Sequence, residues 1–358
     1  MQCGFDFKQW HTAVALNITY LNMNEATRER LFGWRHAVDH PVTLWITLAL
    51  AVVLLVVPAV VLWLSRSRRI DEMMRRELWL RYFTWLVLIP LMIGPPLAGA
   101  FWTVLTVTAL GIGCYVEFAR NTPLSKQLPL NAVAILGIIA INFGALDHWW
   151  ELFTAAFPVT ICLVAIVALL PDKPEGYLQR VALAALAFAL FGAGLGHLSY
   201  LANDAGYRPV LILLLLSVEL NDVLAFMCGK LFGRRKLAPQ TSPGKTLGGS
   251  LGALVLSSLL FAAIGQFVFT EPPLNHPAHL LTMGLLVSLL GQLGDLMLSS
   301  VKRDIGIKDM GALLPGHGGL LDRFDSLILV APAMFYYIGF FQGLGMDEPL
   351  RIFTSAGS

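Results

Sequence analysis

The block between Ser299 and Asp325 is the part of the chain whose side chains are best suited to binding and catalysis. It combines a Lys-Arg-Asp run, a Lys-Asp pair, a His-Gly-Gly turn and an Asp-Arg-Phe-Asp segment, with apolar runs on both sides. The side chains in it that can bind a phosphate, a metal ion or a proton are Ser299, Lys302, Arg303, Lys308, His317, Asp322, Arg323 and Asp325. Ionisable groups close to a membrane core are expensive and tend to be functional. Cations mixed with carboxylates therefore indicate a phosphate-rich substrate, bound with a metal ion at a membrane surface.

Asp295 lies just before this block, inside an apolar run. Residues three and four apart share one face of a helix, so Asp295, Ser299 and Lys302 are predicted to form a single stripe. An aspartate at the centre of a membrane helix costs about 2.5–3.5 kcal/mol. A metal ion or a cation from another helix must offset that cost, and a purely structural ion pair is the alternative interpretation.

Asp322 and Asp325 are also three residues apart, so in a helix both carboxylates face the same way and Arg323 points elsewhere. Hard oxygen ligands suit Mg²⁺, which is usually shared between one or two carboxylates and substrate phosphates. Zinc is disfavoured because the sequence has no Cys/His cluster of the required spacing. These aspartates and Asp295 are therefore candidate Mg²⁺ ligands. A helix cap is the alternative role for Asp322.

A second polar group lies upstream, at the end of one apolar run and in the loop that follows it. Its members are Asn221, Asp222, Ser242, Lys245 and Thr246. Lysine and arginine neutralise polyphosphates, and arginine can bind two oxygens at once. Glycines such as Gly318 and Gly319 expose N–H groups to phosphate oxygens, and His317 beside them could donate to a phosphate or a leaving pyrophosphate. Taken singly, each cation is equally well explained as a topology-setting or lipid-headgroup residue.

The sequence shows no Ser-His-Asp arrangement for nucleophilic catalysis. None is needed if the attacking group is itself a phosphate, because a phosphate monoester is already ionised at neutral pH. Catalysis would then depend on positioning and on charge neutralisation by a metal ion and cationic side chains.

Apolar runs occupy most of the remaining sequence. The 358 residues are 56% hydrophobic and 13% charged, with a net charge of +2, whereas soluble domains are about 25% charged. A membrane-crossing helix needs about 20 mostly apolar residues. The ten predicted spans are 42–64, 83–99, 101–118, 130–146, 153–170, 181–201, 209–228, 247–269, 279–300 and 326–345. The predicted fold is therefore an all-α, polytopic bundle of transmembrane helices.

Lysine and arginine are concentrated in alternate connections between these spans. The basic connections include the run 65–81 and the loops that carry both polar groups. The run 65–81 is predicted to be either a cytoplasmic interfacial helix or only a topology-setting charge cluster. Positive loops stay in the cytoplasm, so an even number of spans puts both termini outside and both polar groups inside. The predicted location is a bacterial inner membrane. Residues 94–96 fit either a turn between two spans or a kinked or re-entrant segment.

The polar residues closely resemble the signature of the phosphatidate cytidylyltransferase (CDP-diacylglycerol synthase) family. That signature reads Ser, two residues, Lys-Arg, four residues, Lys-Asp, and later His-Gly-Gly, two residues, Asp-Arg, an apolar residue and Asp. Every one of these elements is present between Ser299 and Asp325, the signature segment. Asn221-Asp222 and the segment from Ser242 to Thr246 are similar to a second family motif.

The resemblance implies the reaction of CTP with phosphatidate, or another lipid phosphate, to give CDP-diacylglycerol and pyrophosphate in phospholipid biosynthesis. It implies Mg²⁺ at Asp295 and Asp322, with Lys302 and Lys308 as further catalytic residues; a second cation such as K⁺ is left open. Substrate contacts are assigned to Asn221, Asp222, Ser242, Lys245, Thr246, Ser299, Arg303, His317, Gly318, Gly319, Arg323 and Asp325. The expected partners are CTP, the lipid phosphate and membrane lipids, with no nucleic acid and with a homodimer left open.

The resemblance also divides the chain into two regions. Residues 81–358 are predicted to form a cytidylyltransferase-like membrane domain. Residues 1–80 are predicted to be an addition, helical around 25–35, with one extra transmembrane helix and a basic cytoplasmic linker.

Some positions depart from the family pattern. This sequence has Gly248 and Leu298 where the family usually has glutamate, and Gly244 where it usually has lysine. The loss of two carboxylates predicts a divergent member that uses another lipid phosphate, binds metal more weakly or is partly inactive. Two alternatives are a CTP-dependent lipid-alcohol kinase, which would benefit from a general base, and a non-catalytic lipid-binding or transport protein.

Overall fold

The computed structural model describes residues 25–67, 71–313, 318–343 and 351–354. Within these ranges the chain is a bundle of helices with one two-stranded hairpin. The helices are α1 Glu25–Phe32, α2 Pro41–Arg66, α3 Glu72–Ala98, α4 Ala100–Arg120, α5 Leu128–Leu146, α6 Trp150–Val167, α7 Tyr177–Ala187, α8 Leu195–Ala202, α9 Tyr207–Phe232, α10 Leu247–Gly265, α11 Pro277–Asp304, α12 Leu321–Phe324 and α13 Leu327–Gln342. The remaining elements are a 3₁₀ turn at Pro123–Lys126, a π-helical stretch at Phe188–Gly194, and strands β1 Lys236–Ala238 and β2 Ser242–Thr246.

Nine helices of the described ranges are long and apolar enough to cross a membrane, counting α7, the π-helical stretch and α8 as one. The shorter apolar helix α13 is the tenth candidate. Large apolar side chains such as Leu55 and Phe340 are exposed on the outside of the bundle, as expected where lipid rather than water is the solvent. The predicted all-α membrane bundle is confirmed, and each predicted span overlaps one of these ten helices. The orientation, with both termini outside, stays a prediction.

The N-terminal end of α3 differs from the sequence prediction. Asp71 caps the helix, accepting a hydrogen bond from Met74 N at 2.7 Å, and the helix then continues from Glu72 without interruption into the apolar span. The described residues of the run 65–81 thus lie mainly in the end of α2 and the start of α3, and the predicted interfacial helix is wrong; the alternative, a topology-setting charge cluster, stays a prediction. A good N-cap just before the basic turn lets the span begin earlier than hydropathy alone indicates.

The C-terminal end of α3 is set by a glycine. The helix continues through Pro95 and Pro96, and the break comes at Gly99, which has a φ of +139°. A Cβ at Gly99 would lie 2.3 Å from the Leu31 carbonyl oxygen. The close approach of α1 and the backbone conformation both require glycine there, so the turn between these spans lies after 94–96.

The candidate site is positioned by α9, α10 and α11, which pack side by side. A Cβ on Gly249 of α10 would lie 2.6 Å from the Ala225 carbonyl oxygen of α9. Small residues at such contacts let helix backbones approach closely in a membrane. The hairpin β1–β2 connects α9 to α10 at this end of the bundle.

Candidate functional site

A cavity of about 560 Å³ lies where α9, α10, α11 and the hairpin meet. Its polar lining consists of Asp222, Lys230, Lys236, Lys245, Thr246, Ser250, Gln292 and Asp295. Lys245 Nζ lies 2.6 Å from Asp295 Oδ2, and about a quarter of each side chain is exposed. Ammonium groups and carboxylates around one space are the groups that a metal-bound polyphosphate requires.

The hairpin and the start of α10 fix the position of Lys245. The strands pair antiparallel, with Lys236 opposite Thr246. Thr246 caps α10, because its Oγ1 accepts a hydrogen bond from Gly249 N at 3.1 Å. Lys245 therefore enters the cavity from a segment held by β-pairing on one side and by a helix cap on the other.

Buried polar side chains connect the three helices beside the cavity. Ser288 donates to Asn221 Oδ1 at 2.6 Å, and Gln292 donates to Ser288 Oγ at 3.2 Å. Ser250 donates to the side chain of Gln292. Asn221 is fully buried, and its Nδ2 has no hydrogen-bond partner among the described residues. The network holds α9 in register with α10 and α11, so that Asp222, the next residue, lines the cavity.

The stripe predicted on α11 is visible in the hydrogen bonds. Ser299 Oγ donates to Asp295 Oδ1 at 3.1 Å. Lys302 follows on the same face, and its Nζ lies 2.8 Å from Asp322 Oδ1, with 11% and 7% of the two side chains exposed. Asp295 and Asp322 are thus each paired with a different lysine, and their sharing of one metal ion stays a prediction.

Asp322 organises the glycine turn that precedes it. Its Oδ2 accepts hydrogen bonds from Met310 N and Gly319 N, both at 2.8 Å. Gly318 has a φ of +82°, and a Cβ there would lie 2.8 Å from Asp322 Oδ2. These glycines let the backbone approach the Asp322 carboxylate. Their contact with a phosphate stays a prediction.

Asp325 lies just before α13 and is buried. Burial raises the pKa of its carboxyl well above the usual range, and the negative charges of Asp295 and Asp222 raise the pKa further. The positive charges of Lys302 and Lys245 act in the opposite direction. Three acidic side chains from three segments therefore lie close enough to disfavour one another's charged forms, and a cation bound among them would favour those charged forms.

The donor set of the cavity fits Mg²⁺. Across the described ranges, no three His, Cys, Asp or Glu side chains are grouped so that they could hold a metal ion by themselves. Mg²⁺ does not need such a cage, because it is commonly held by one or two carboxylates together with waters and substrate phosphates. Asp295 and Asp222 line the cavity and both act on the buried Asp325. Two aspartates and three lysines line the cavity together, so the carboxylates could hold the ion while the ammonium groups bind the phosphates that complete its ligands.

Arg323 contacts α3 and α9. Its guanidinium forms an ion pair with Glu219 and lies over the Trp85 ring, 4.4 Å from the ring centroid. The predicted contact of Arg323 with a substrate phosphate stays a prediction. Trp85 has no sequence signal that sets it apart from the other aromatic residues of the apolar runs.

The remaining predicted residues lie at the margin of the site. Arg303 donates to the Thr241 carbonyl at 3.3 Å and so joins α11 to the hairpin. Ser242 begins β2, and Lys308 is exposed in the connection after α11. His317 lies outside the described residues, and its role stays a prediction.

Glu117 of α4 contacts the signature segment, and sequence reasoning missed it. Its carboxylate accepts hydrogen bonds from Leu321 N at 2.6 Å and from Leu320 N at 3.2 Å. A Cβ on Gly319 would lie 2.3 Å from Glu117 Oε1. Glu117 therefore holds the start of α12, which carries Asp322. A carboxylate inside an apolar run is the signal that could have identified it.

The two positions where the resembled family usually has glutamate are used here for packing. A Cβ on Gly248 would lie 2.5 Å from the Phe232 carbonyl oxygen, so the backbone would have to shift before any side chain could fit. Leu298 is buried in the main hydrophobic core. The acidic lining of the cavity is therefore provided by Asp222 and Asp295.

The fold and the site define an integral membrane protein of helical-bundle type with a charged cavity among its helices. The chain belongs to the cytidylyltransferase family, whose sequence model matches residues 79–341. That range contains all the predicted site residues and leaves α1 and α2 outside. The family prediction is confirmed.

Individual relatives differ in how much of the chain they match. The chain is 35% identical over 278 residues to the uncharacterized protein YnbB of Escherichia coli (strain K12), covering 75% of this chain and 90% of that protein. It is 44% identical over 122 residues to the phosphatidate cytidylyltransferase of Bacillus subtilis (strain 168), covering 34% of this chain and 44% of the relative. It is 40% identical over 141 residues to the phosphatidate cytidylyltransferase of Staphylococcus haemolyticus (strain JCSC1435), covering 39% and 53%. The chain thus spans about half the length of these two enzymes.

Proposed function

We propose that this protein is a phosphatidate cytidylyltransferase, which converts CTP and phosphatidate into CDP-diacylglycerol and pyrophosphate. The observation that supports this most directly is the charged cavity in which Lys245 pairs with Asp295 beside Asp222. The family match and the named activity of the Bacillus and Staphylococcus relatives agree with this reaction.

The reaction transfers a cytidylyl group from one phosphate to another. An oxygen of the lipid phosphate attacks the α-phosphorus of CTP, the bond from that phosphorus to the oxygen bridging to the β-phosphate breaks, and pyrophosphate leaves with the bonding electrons. The lipid phosphate is already ionised, so no strong base has to remove a proton. The protein must position two anions and offset their mutual repulsion.

The lysines of the site are suited to that task. Lys245 and Lys302 are each paired with a carboxylate in this structure, and an arriving polyphosphate would compete for the same ammonium groups. Asp295 and Asp322 are the residues proposed to hold Mg²⁺, with Asp222 beside them. When bound, Mg²⁺ would supply charge neutralisation on the triphosphate.

We place this site on the cytoplasmic side of a bacterial inner membrane. The hairpin connection after α9 carries Arg234, Arg235 and Lys236, and the last turn of α11 carries Lys302 and Arg303. Positive loops next to membrane spans are retained in the cytoplasm.

The proposal is tested with the purified full chain in lipid vesicles that contain phosphatidate, with Mg²⁺ and labelled CTP outside. We expect a labelled CDP-lipid and one pyrophosphate released for each, and chelation of the divalent cation should stop both. Lys245→Met should abolish turnover, whereas Lys173→Met, at an exposed loop position, should not. If no CDP-lipid forms with any of the lipid phosphates supplied, the proposed cytidylyltransferase activity is refuted. A product formed only with another lipid phosphate would change the substrate and keep the chemistry.

A further inference from the structure

We infer that a groove between α2, α3 and α9 holds an acyl chain of the lipid phosphate substrate; this inference rests on the proposed function. The groove has a volume of about 420 Å³. Its α2 wall is entirely apolar and consists of Leu50, Val53, Leu54, Val57 and Val61. Apolar side chains of α3 and α9 line most of the opposite wall. Such a surface can hold hydrocarbon and gives no site to a nucleotide.

Part of this acyl groove is polar and leads to the candidate site. Arg81 and Glu219 line this part together with Trp85, and Arg81 forms an ion pair with Glu77. Glu219 is the ion-pair partner of Arg323, whose guanidinium lies over the Trp85 ring. Arg323 belongs to the signature segment. An apolar channel that passes two arginines, each in an ion pair whose carboxylate a phosphate could replace, fits an amphiphile with a hydrocarbon tail and an anionic head.

Helix α2 turns an open surface into a groove. The family match begins at residue 79, so α2 lies outside it, whereas α9 and most of α3 lie within it. Without α2, the faces of α3 and α9 that carry Trp85 and Glu219 would have no covering wall on this side. The extra helix thereby gives this chain a bounded channel that continues from the bilayer to Arg323.

A proline and a tyrosine hold α2 against α3. Pro58 has no N–H, so it cannot donate to the carbonyl of Leu54 four residues earlier. The Tyr82 hydroxyl donates to that carbonyl at 3.2 Å, which satisfies a backbone group that lipid cannot. At the end away from the site, the groove is closed by an apolar cluster of Val42, Ile46, Ile93 and Ile212. The wall is therefore fixed at its middle and at its closed end.

Photolabelling tests the groove without requiring turnover. The probe is a phosphatidate with a diazirine in one acyl chain, added to the full chain in vesicles of neutral lipid. We expect labelling of α2 between residues 50 and 61 and of α3 between 82 and 93. A phosphatidylcholine with the same diazirine chain is the matched control and should label these segments at least about fivefold less, since it lacks the anionic head that the arginines attract. Equal labelling by both probes, or no labelling of these segments, would overturn the inference.

Filling the groove tests its role in substrate choice. Val57 lines the groove, whereas Leu55 lies on the opposite face and is 77% exposed. Val57→Trp should raise KM for a long-chain phosphatidate about tenfold and leave a short-chain analogue nearly unchanged. Leu55→Trp should change neither substrate, and Val53→Trp serves as a second groove-filling variant if Val57→Trp does not fold.

The outcomes separate this inference from the proposed function. Long-chain KM values that are the same in the groove-filling and Leu55→Trp variants would overturn the groove while leaving the enzyme in place. A wild-type protein that makes no CDP-lipid would refute the proposed function instead. The comparison of the two photolabels would then decide by itself whether the groove selects a lipid phosphate.

Discussion

Aspartates are buried at two ends of the helical bundle, and the hydrogen-bond and ion-pair partners of their carboxylates differ between the two ends. At the end away from the charged cavity, Asp147 is fully buried after α5. Its carboxylate accepts hydrogen bonds from Phe353 N at 2.5 Å, from Thr354 N at 3.2 Å and from the Thr354 hydroxyl. Each of these donors is neutral, and together they fix the C-terminal segment to the bundle.

At the charged cavity two aspartates have a lysine among their partners. Asp295 is paired with Lys245, and Asp322 is paired with Lys302 in addition to accepting hydrogen bonds from two backbone N–H groups. A lysine can exchange its carboxylate for a phosphate, whereas backbone N–H groups held in place by the fold cannot. A lysine partner, and not burial by itself, distinguishes the carboxylates proposed to be functional from Asp147.

The largest expected effect comes from making the same substitution at both ends. Asp295→Asn should lower kcat/KM about a thousandfold, because it removes a charge that the reacting phosphates and their metal ion require. Its thermal unfolding midpoint should stay close to that of wild type, since asparagine can still accept a hydrogen bond from Ser299. Asp147→Asn should show the reverse pattern, near-normal turnover with a lower midpoint, because its amide would place N–H groups against the Thr354 donors. Similar activities in the two variants would remove the distinction between the two ends.

The second-largest effect is expected at the ion pair between Lys302 and Asp322, and it tests whether this pair is functional or structural. Lys302→Met should destabilise the protein by about 3 kcal/mol, because it leaves Asp322 charged and buried without its ammonium partner. Lys302→Met with Asp322→Asn should recover most of that stability, measured by denaturant unfolding in detergent. Turnover should stay absent in both variants. Activity that returned with stability in the double variant would show that this pair resembles Asp147 in being structural.

A smaller effect is expected at Glu117, which contacts the signature segment through backbone groups. Leu320 N and Leu321 N each donate to a different carboxylate oxygen, and glutamine replaces one of these oxygens with an NH₂ group, so Glu117→Gln loses one of the two hydrogen bonds as they now stand. The start of α12 should shift slightly and kcat should fall about tenfold, with KM for CTP nearly unchanged. Glu117→Asp, which keeps both acceptors on a shorter side chain, should recover part of the lost kcat. The control is Glu151→Gln, at an exposed position of α6. A raised KM with normal kcat would contradict a positioning role.

Features that depend on nearby residues could be predicted from the sequence. The lengths of the apolar runs predicted the helices that cross the membrane. The spacing of four between Asp295 and Ser299 predicted that both lie on one helix face, and the hydrogen bond between them confirms it. The contact of Glu117 with Leu320 joins residues 203 positions apart. No periodicity within either segment carries information about such a contact. The stacking of Arg323 on Trp85 is of the same kind.

The sequence by itself determined that this is a helical membrane protein and which of its side chains carry charge close to the bilayer. It does so because hydrophobic length and helical period are local properties, and because lipid tolerates few ionisable groups. Tertiary structure decided which carboxylate meets which lysine, and that α2 covers one side of a groove leading to Arg323. Those outcomes depend on how helices distant in the chain pack together, and small residues such as Gly249 set that packing through contacts that hydropathy does not encode.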